Sequence, residues 1–484
     1  MNTFFKHTFV YFLSKGIPGI LSFIAILFYS KILTPAEYGI YSLIISIVGI
    51  INIIFFDWFR FGMSRFLPEY IAEDKRDEFL LFVKNKIQLA ILISIIVTII
   101  AYLIYPYVRY LDINKTIILY IGILVILQYV FTLLTQIFIT ELKPNDYMKS
   151  NFIKSFFATV IGIVLVYLGF GYMGLIIAMI FSFIFSVLYS IYKINFPRVN
   201  FNFKLDRELL KKITIYSLPL SASAGLSYIL SYSNRFIISH YRSVEETGLF
   251  SLGYDFSQQT IGVFISIAAT SAFPIAMKLY TEQGNSGELK KHMNKSLQMI
   301  FFIALPIVVV FCATSHDLTH LLLGKKFSKL DFFFLPLISM HAFVLGVKSF
   351  YFDLFFYLKK ETKFQLLILV FVAILNVGLN IIFVPKFGYI SAVWCALVCS
   401  ALAVLTTYFV TRKILVIPID FIPILKVVLS ALLMFFSMRF FGDSKDIYFL
   451  VLKLILGGVV FISSIIIFNR KTAIELLSSS FKKK

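Results

Sequence analysis

Charge is scarce in this chain. Of its 484 residues only 14% are Asp, Glu, Lys or Arg, while 60% are hydrophobic. Soluble domains keep about a quarter of their residues charged, so a soluble globular fold is excluded. The mean hydropathy of +0.90 points instead to lipid as the solvent. Cysteine is scarcer still. Cys312, Cys395 and Cys399 lie in apolar runs without metal or redox spacing, which excludes a disulfide framework and leaves packing as their role. Long polar segments are also lacking: the connections are short, and the longest outer one, 315–331, is too small to bury a core. The opening MNTFFKHTFVYFLSKGIPGI lacks a basic start, a short apolar stretch and a small-residue cleavage site, so the first span is expected to be retained.

What the chain does have is a succession of apolar stretches of about twenty residues, the length an α-helix needs to cross a hydrocarbon core roughly 30 Å thick. Helices are the spanning element because the backbone must satisfy its own hydrogen bonds in lipid. A window of about nineteen residues finds about fourteen stretches, the first near 9–33 and the last near 447–468. The expected fold is an all-α polytopic membrane protein. With the N-terminus inside, the inner connections hold roughly three times as many Lys and Arg as the outer ones, which places both termini in the cytoplasm. The net charge of +20 is then a topology signal, and no nucleic-acid partner is needed to explain it. The basic end SSSFKKK fits an anionic inner leaflet, where each charge gains about 1 kcal/mol.

Two short phrases recur. AEYGIYSL (Ala36–Leu43) and EETGLFSL (Glu245–Leu252) align Glu37, Gly39, Ser42 and Leu43 with Glu246, Gly248, Ser251 and Leu252. Each follows an odd-numbered span and opens the next on the outer side. A glycine allows a tight turn, and a carboxylate suits a helix N-terminus. FGYMG (Phe170–Gly174) and FGYIS (Phe387–Ser391) repeat the pattern between spans five and six and between spans eleven and twelve. Two echoes six helices apart imply two pseudo-symmetric six-helix lobes, 1–195 and 196–413, with two further helices and a basic tail in 414–484. Two such lobes form the usual layout of an alternating-access transporter.

Ionisable groups within spans are costly and usually functional. Lys15, Arg60, Arg235 and Lys348 could line a cationic cavity for a phosphate or diphosphate, Arg offering a planar fork of donors and Lys a point charge. Local pairing, Lys348 with Asp353 and Arg60 with Asp57, is the competing account. Asp57, Asp255 and Asp353 could couple transport to a proton or sodium ion. Lys426, Arg439 and Lys453 sit near span ends, where snorkelling is expected. Gln258, Gln259, Asn376 and Asn380 suggest interhelical hydrogen bonds. Pro18 and Pro219, in the first helix of each lobe, are candidate hinges.

Other motifs carry no chemistry. GFGYMG at Gly169–Gly174 satisfies G-x-G-x-x-G but is flanked by apolar spans rather than a strand and a soluble helix, so it reads as a turn. HDLTH at His316–His320 lacks a third ligand at motif spacing and reads as a polar outer loop. No catalytic triad, phosphate loop or cofactor motif is present, and the chain is not expected to be an enzyme.

The stretches KILTPAEYGIYSL, RFLPEYIAED and IFVPKFGYISAVWCALV, in that order, resemble the polysaccharide flippases of the multidrug/oligosaccharidyl-lipid/polysaccharide exporter superfamily, including O-antigen flippases. The resemblance covers most of spans one to twelve, and the last two spans match the fourteen-helix form. The aromatic run FFDWFRFGMSRF, holding Arg60 and Arg65, departs from the Gly-rich pattern of many relatives. The resemblance implies a bacterial inner-membrane protein that moves undecaprenyl-diphosphate-linked oligosaccharide outward, through a cationic cavity to which Lys15, Arg235 and Lys348 would contribute. Its expected partners are that lipid-linked cargo, membrane lipids and the polysaccharide polymerase machinery. A multidrug antiporter of the same superfamily should favour acidic cavity residues. A glycan polymerase or ligase should carry a large outer loop with catalytic Arg or His, and 315–331 shows no such constellation.

Overall fold

A computed structural model describes residues 2–105, 115–196, 207–270, 272–330, 333–359, 361–416, 418–444 and 446–468. The tail SSSFKKK and the side chain of Lys15 lie outside what is described. Among the described residues every regular element is a helix. The first eight are α1 (Asn2–Ile32), α2 (Pro35–Phe55), α3 (Asp57–Ala72), α4 (Arg76–Ile104), α5 (Thr116–Thr140), α6 (Pro144–Tyr167), α7 (Gly171–Ile194) and α8 (Arg207–Tyr241). Then come α9 (Val244–Ser257), a π-helical turn (Gln258–Gly262), α10 (Val263–Thr270), α11 (Ala272–Gln283) and α12 (Gly287–Ala313). The short α13 (Ser315–Asp317) leads through a π turn (Leu318–Leu322) and a 3-10 turn (Lys325–Leu330) to α14 (Phe334–Val347). A third π turn (Lys348–Phe352) joins α14 to α15 (Asp353–Lys359), followed by α16 (Thr362–Phe387), α17 (Tyr389–Ile414), α18 (Phe421–Phe440) and α19 (Ile447–Phe468).

Among the described residues twelve spans are long and apolar enough to cross a bilayer, one of them the α14–α15 run Phe334–Lys359. Two more complete the expected fourteen: α1, apolar over Gly16–Ile32, and the run 244–270, which the π turn divides between α9 and α10. The chain is a multi-pass membrane protein. Pro18 and Pro219 lie inside α1 and α8, both of which continue through them.

The chain divides into two compact units, one holding Met1–Ala25 and Ala36–Phe236, the other Ile26–Pro35 and Ile237–Lys484. In unit 1, α5 is the hub. Its Leu133, Ile137 and Phe138 are buried in one cluster with Phe59 and Met63 of α3, Phe79 and Val83 of α4, and Ile176 and Phe183 of α7. Between α6 and α7, where lipid supplies no hydrophobic drive, small polar residues do the packing: the Ser150 hydroxyl lies 2.9 Å from those of both Ser186 and Ser190. At the helix ends Arg76 donates to Glu141 at 2.7 Å and to the Ile194 carbonyl at 3.3 Å, so one guanidinium ties the start of α4 to the ends of α5 and α7.

In unit 2, Leu297, Ile300 and Ala304 of α12 are buried with Tyr351, Phe352 and Phe355. Val309 and Ala313, further along α12, pack against Val427, Ala431 and Met434 of α18 and Phe461 of α19.

Three expectations are corrected here. Lys453 does not snorkel. Its side chain is 1% exposed, and its ammonium donates to Asp317 at 2.9 Å and to the Gly442 carbonyl at 2.6 Å. The 315–331 connection is largely helical, which buries Asp317 as a partner for Lys453 and for the Ser444 amide and hydroxyl at 2.7 and 2.9 Å. Asn380 turns its amide back to the Asn376 carbonyl of its own helix, at 2.7 Å, instead of crossing to a neighbour.

Candidate functional site

The repeated phrases do touch, once in each unit, and in both a glutamate of one phrase lies against a glycine of the other. In unit 2 the carboxylate of Glu246 accepts from the Tyr389 amide at 3.0 Å, so α17 is capped by a side chain from α9. Gly388, at φ +71°, lets the chain turn there, and a Cβ would meet the Glu246 oxygen at 2.8 Å. In unit 1 Glu37 of α2 lies against Gly171, at φ +55°, where α7 begins, and leaves no room for a Cβ. The sequence reading assigned each glutamate to its own helix start. Each does lie in the first turn of its own helix, and the structure adds that each also reaches the other echoed motif.

Arg235 of α8 is 2% exposed. Its guanidinium lies over the Tyr232 ring, 4.6 Å from the centroid, and donates to the Ser46 hydroxyl of α2 at 3.4 Å. Tyr232 stacks on Tyr228 at 4.1 Å, and the Tyr228 hydroxyl occupies the space that a side chain at Gly49 would fill. Close approach of α8 to α2 therefore depends on a glycine, and it brings the arginine to a hydroxyl. The run SYSNRF serves this geometry: Arg235 and the buried Asn234 face protein rather than lipid.

Arg60 and Asp57 pair within α3 at 3.6 Å, both partly exposed. Arg60 also lies over Phe61, 4.5 Å from the ring centroid. In unit 2, Lys348 and Asp353 form a buried pair at 3.0 Å, with side chains 3% and 7% exposed. The π turn that begins at Lys348 shifts the helical register between the two residues. Asp255 is half-buried near the end of α9, just before the π turn that starts at Gln258. Single π turns are rare and concentrate at functional sites, and here they sit beside the ionisable residues of two spans.

Two lysines went unnoticed in the sequence. Lys154 of α6 lies over the rings of Phe131 and Phe183, at 4.9 and 5.5 Å. Lys86 of α4 lies over Trp58 at 4.9 Å. Among the described residues neither has a carboxylate within ion-pair distance. The only local signal was a lysine inside a largely apolar span, and the rings it meets belong to other helices.

Comparison with known proteins closes the description. Residues 28–330, more than half the chain, match the model of a family described as polysaccharide biosynthesis protein. An uncharacterised membrane protein in the cps region of Klebsiella pneumoniae is 23% identical over 282 residues, 55% of this chain and 55% of its own length. The match thus spans about half of that relative. Among solved structures, the lipid II flippase MurJ in an inward closed conformation superposes with a TM-score of 0.75 at 18% identity, covering 97% of this chain and 99% of that one. An inward-facing multidrug resistance transporter of the MATE family gives 0.64 at 16% identity, covering 83% and 98%. A Pyrococcus furiosus transporter of the same superfamily, described as having a binding pocket of reverse polarity, gives 0.57 at 16% identity over 84% and 96%. These likenesses establish a shared fold, and the extent of the family match establishes that the chain belongs to the polysaccharide biosynthesis protein family.

Proposed function

We propose that the protein is a flippase carrying undecaprenyl-diphosphate-linked oligosaccharide repeat units from the inner to the outer leaflet of a bacterial inner membrane, for O-antigen or capsule synthesis. The observation that carries this reading is membership of a polysaccharide biosynthesis family by a chain with a transporter fold. Arg235, buried and presented by Ser46 and Tyr232, supports it, because a guanidinium fork suits diphosphate oxygens. Lys15, Arg60 and Lys348 complete the proposed phosphate-binding set. The working division is a six-helix lobe at 1–195, a second at 196–413, and an accessory region at 414–484, with both termini cytoplasmic. Rocking of the lobes would expose cargo alternately to each side.

Asp57, Asp255 and Asp353 are the proposed coupling groups for a proton or sodium ion. Neutralising Asp353 would release Lys348, held at 3.0 Å, for cargo phosphate, so ion binding and cargo binding would favour each other. The polymerase machinery is the proposed recipient of the flipped unit. A multidrug antiporter is the second reading, favoured only by the likeness in fold to a multidrug transporter.

The test is transport in proteoliposomes. Wild-type protein should move a fluorescent prenyl-diphosphate oligosaccharide into a pool accessible to an added quencher. Arg235→Ala combined with Lys348→Ala should remove that activity when compared at equal amounts of folded protein, because Lys348→Ala also strands the buried Asp353. Unimpaired movement in the double variant would contradict the phosphate role, and cation efflux without glycan movement would favour the antiporter.

A further inference from the structure

Unit 1 contains a cavity of about 510 Å³ between α2, α3, α4 and α5 that the flippase reading does not use. Neither Arg235 nor Lys348 lines it. Its α4 wall runs from Lys86 to Ala101, about 22 Å at the rise of an α-helix. That is most of the thickness of a hydrocarbon core, and apart from Lys86 and the hydroxyls of Ser94 and Thr98 the wall is apolar. Phe55, Ile93 and Val97 belong to this lining and are 62%, 46% and 57% exposed, so the cavity opens along the apolar outer face of α4.

The one charge of the lining and its unpartnered hydroxyl stand toward one end, whereas Thr98 donates to the Ser94 carbonyl of its own helix. Lys86 lies there over the Trp58 ring, with no carboxylate partner among the described residues. The acid of the neighbouring turn, Asp57, is held by Arg60 at 3.6 Å. Tyr129 of α5 lines the same cavity and is 2% exposed, yet its buried hydroxyl has no hydrogen-bond partner among the described residues. A buried hydroxyl without a partner costs about 1–3 kcal/mol, so the site is incomplete as a purely protein structure. A cation, an orphan donor and an indole at the head of a long apolar trough form the complement of a lipid with one anionic group and a hydrocarbon chain.

We propose that this cavity binds an anionic phospholipid of the surrounding bilayer. One acyl chain lies along α4, and the phosphate accepts from the Lys86 ammonium and the Tyr129 hydroxyl. A single cation suits a phosphodiester. The diphosphate of a lipid-linked cargo carries more charge than Lys86 alone would balance. The site is built within unit 1 and stands whether or not the protein is a flippase.

The test is native mass spectrometry of the full-length protein with phosphatidylglycerol or phosphatidylcholine, read as lipid retained under graded activation. Wild type should retain phosphatidylglycerol about tenfold better, the effect of one charge-assisted hydrogen bond. Lys86→Gln should bring the two lipids to parity, Lys86→Arg should keep the preference, and Lys75→Gln, altering an exposed lysine, should change nothing. Tyr129→Phe should weaken retention, and Ala90→Phe, which fills the trough, should remove it. Equal retention of both lipids by wild type, or an unaltered preference in Lys86→Gln, would overturn the proposal. So would displacement of phosphatidylglycerol from wild type by stoichiometric undecaprenyl diphosphate, which would make the cargo the occupant.

Discussion

Two lysines in each unit are held by opposite means. In unit 1, Lys86 and Lys154 rest on aromatic rings. In unit 2, Lys348 and Lys453 are locked to Asp353 and Asp317 at 3.0 and 2.9 Å. A ring face stabilises a desolvated cation by about 2 kcal/mol and leaves its charge available to an anion. A buried carboxylate neutralises it and makes each partner dependent on the other. The Lys453–Asp317 lock fastens the α18–α19 hairpin to the segment after α12, so it belongs to the architecture. The aromatic lysines can meet an anionic ligand as they stand, whereas Lys348 would do so only once Asp353 is neutralised.

The largest effect that could break this comparison is at the lock. Asp317→Ala should cost about 3–5 kcal/mol, because it strands a buried ammonium. Thermal unfolding of the solubilised protein would show it, and Asp317→Leu with Lys453→Met should recover most of the loss. If Asp317→Ala were no worse than Lys154→Met, the two classes of lysine would not differ. Next come the echoed turns. Gly171→Ala and Gly388→Ala should each lose about 1–3 kcal/mol, since both require positive φ and both abut a glutamate.

Smaller still, Glu37→Gln and Glu246→Gln should each cost about 0.5–2 kcal/mol, the range of a lost helix cap. Similar values for the pair would sharpen the view that the units share one device. The smallest effect is expected at Lys154→Met, within about 1 kcal/mol of wild type in the same unfolding assay.

The sequence announced the architecture well. Apolar run lengths pointed to about fourteen spans, and the two short echoes fall at turns where a glutamate meets a glycine in each unit. It could not show that Glu37 meets Gly171 or that Glu246 meets Tyr389, because helix packing brings those residues together across 134 and 143 positions. For the same reason Lys453 looked like a snorkelling residue: its carboxylate lies 136 positions away. The π turns at Gln258 and Lys348 left no mark in hydropathy, since one extra residue per turn does not change an apolar average. Lys154 and Lys86 escaped notice because a ring partner on another helix has no local signature.

The measurement that bears most directly on the central claim is the sidedness of lipid-linked glycan in cells lacking this protein, probed with a membrane-impermeant lectin. The account predicts complete repeat units accumulating out of the lectin's reach, with surface polysaccharide lost, and both reversed by wild type but not by Arg235→Ala with Lys348→Ala. Complete units freely reached by the lectin in the depleted cells would contradict it.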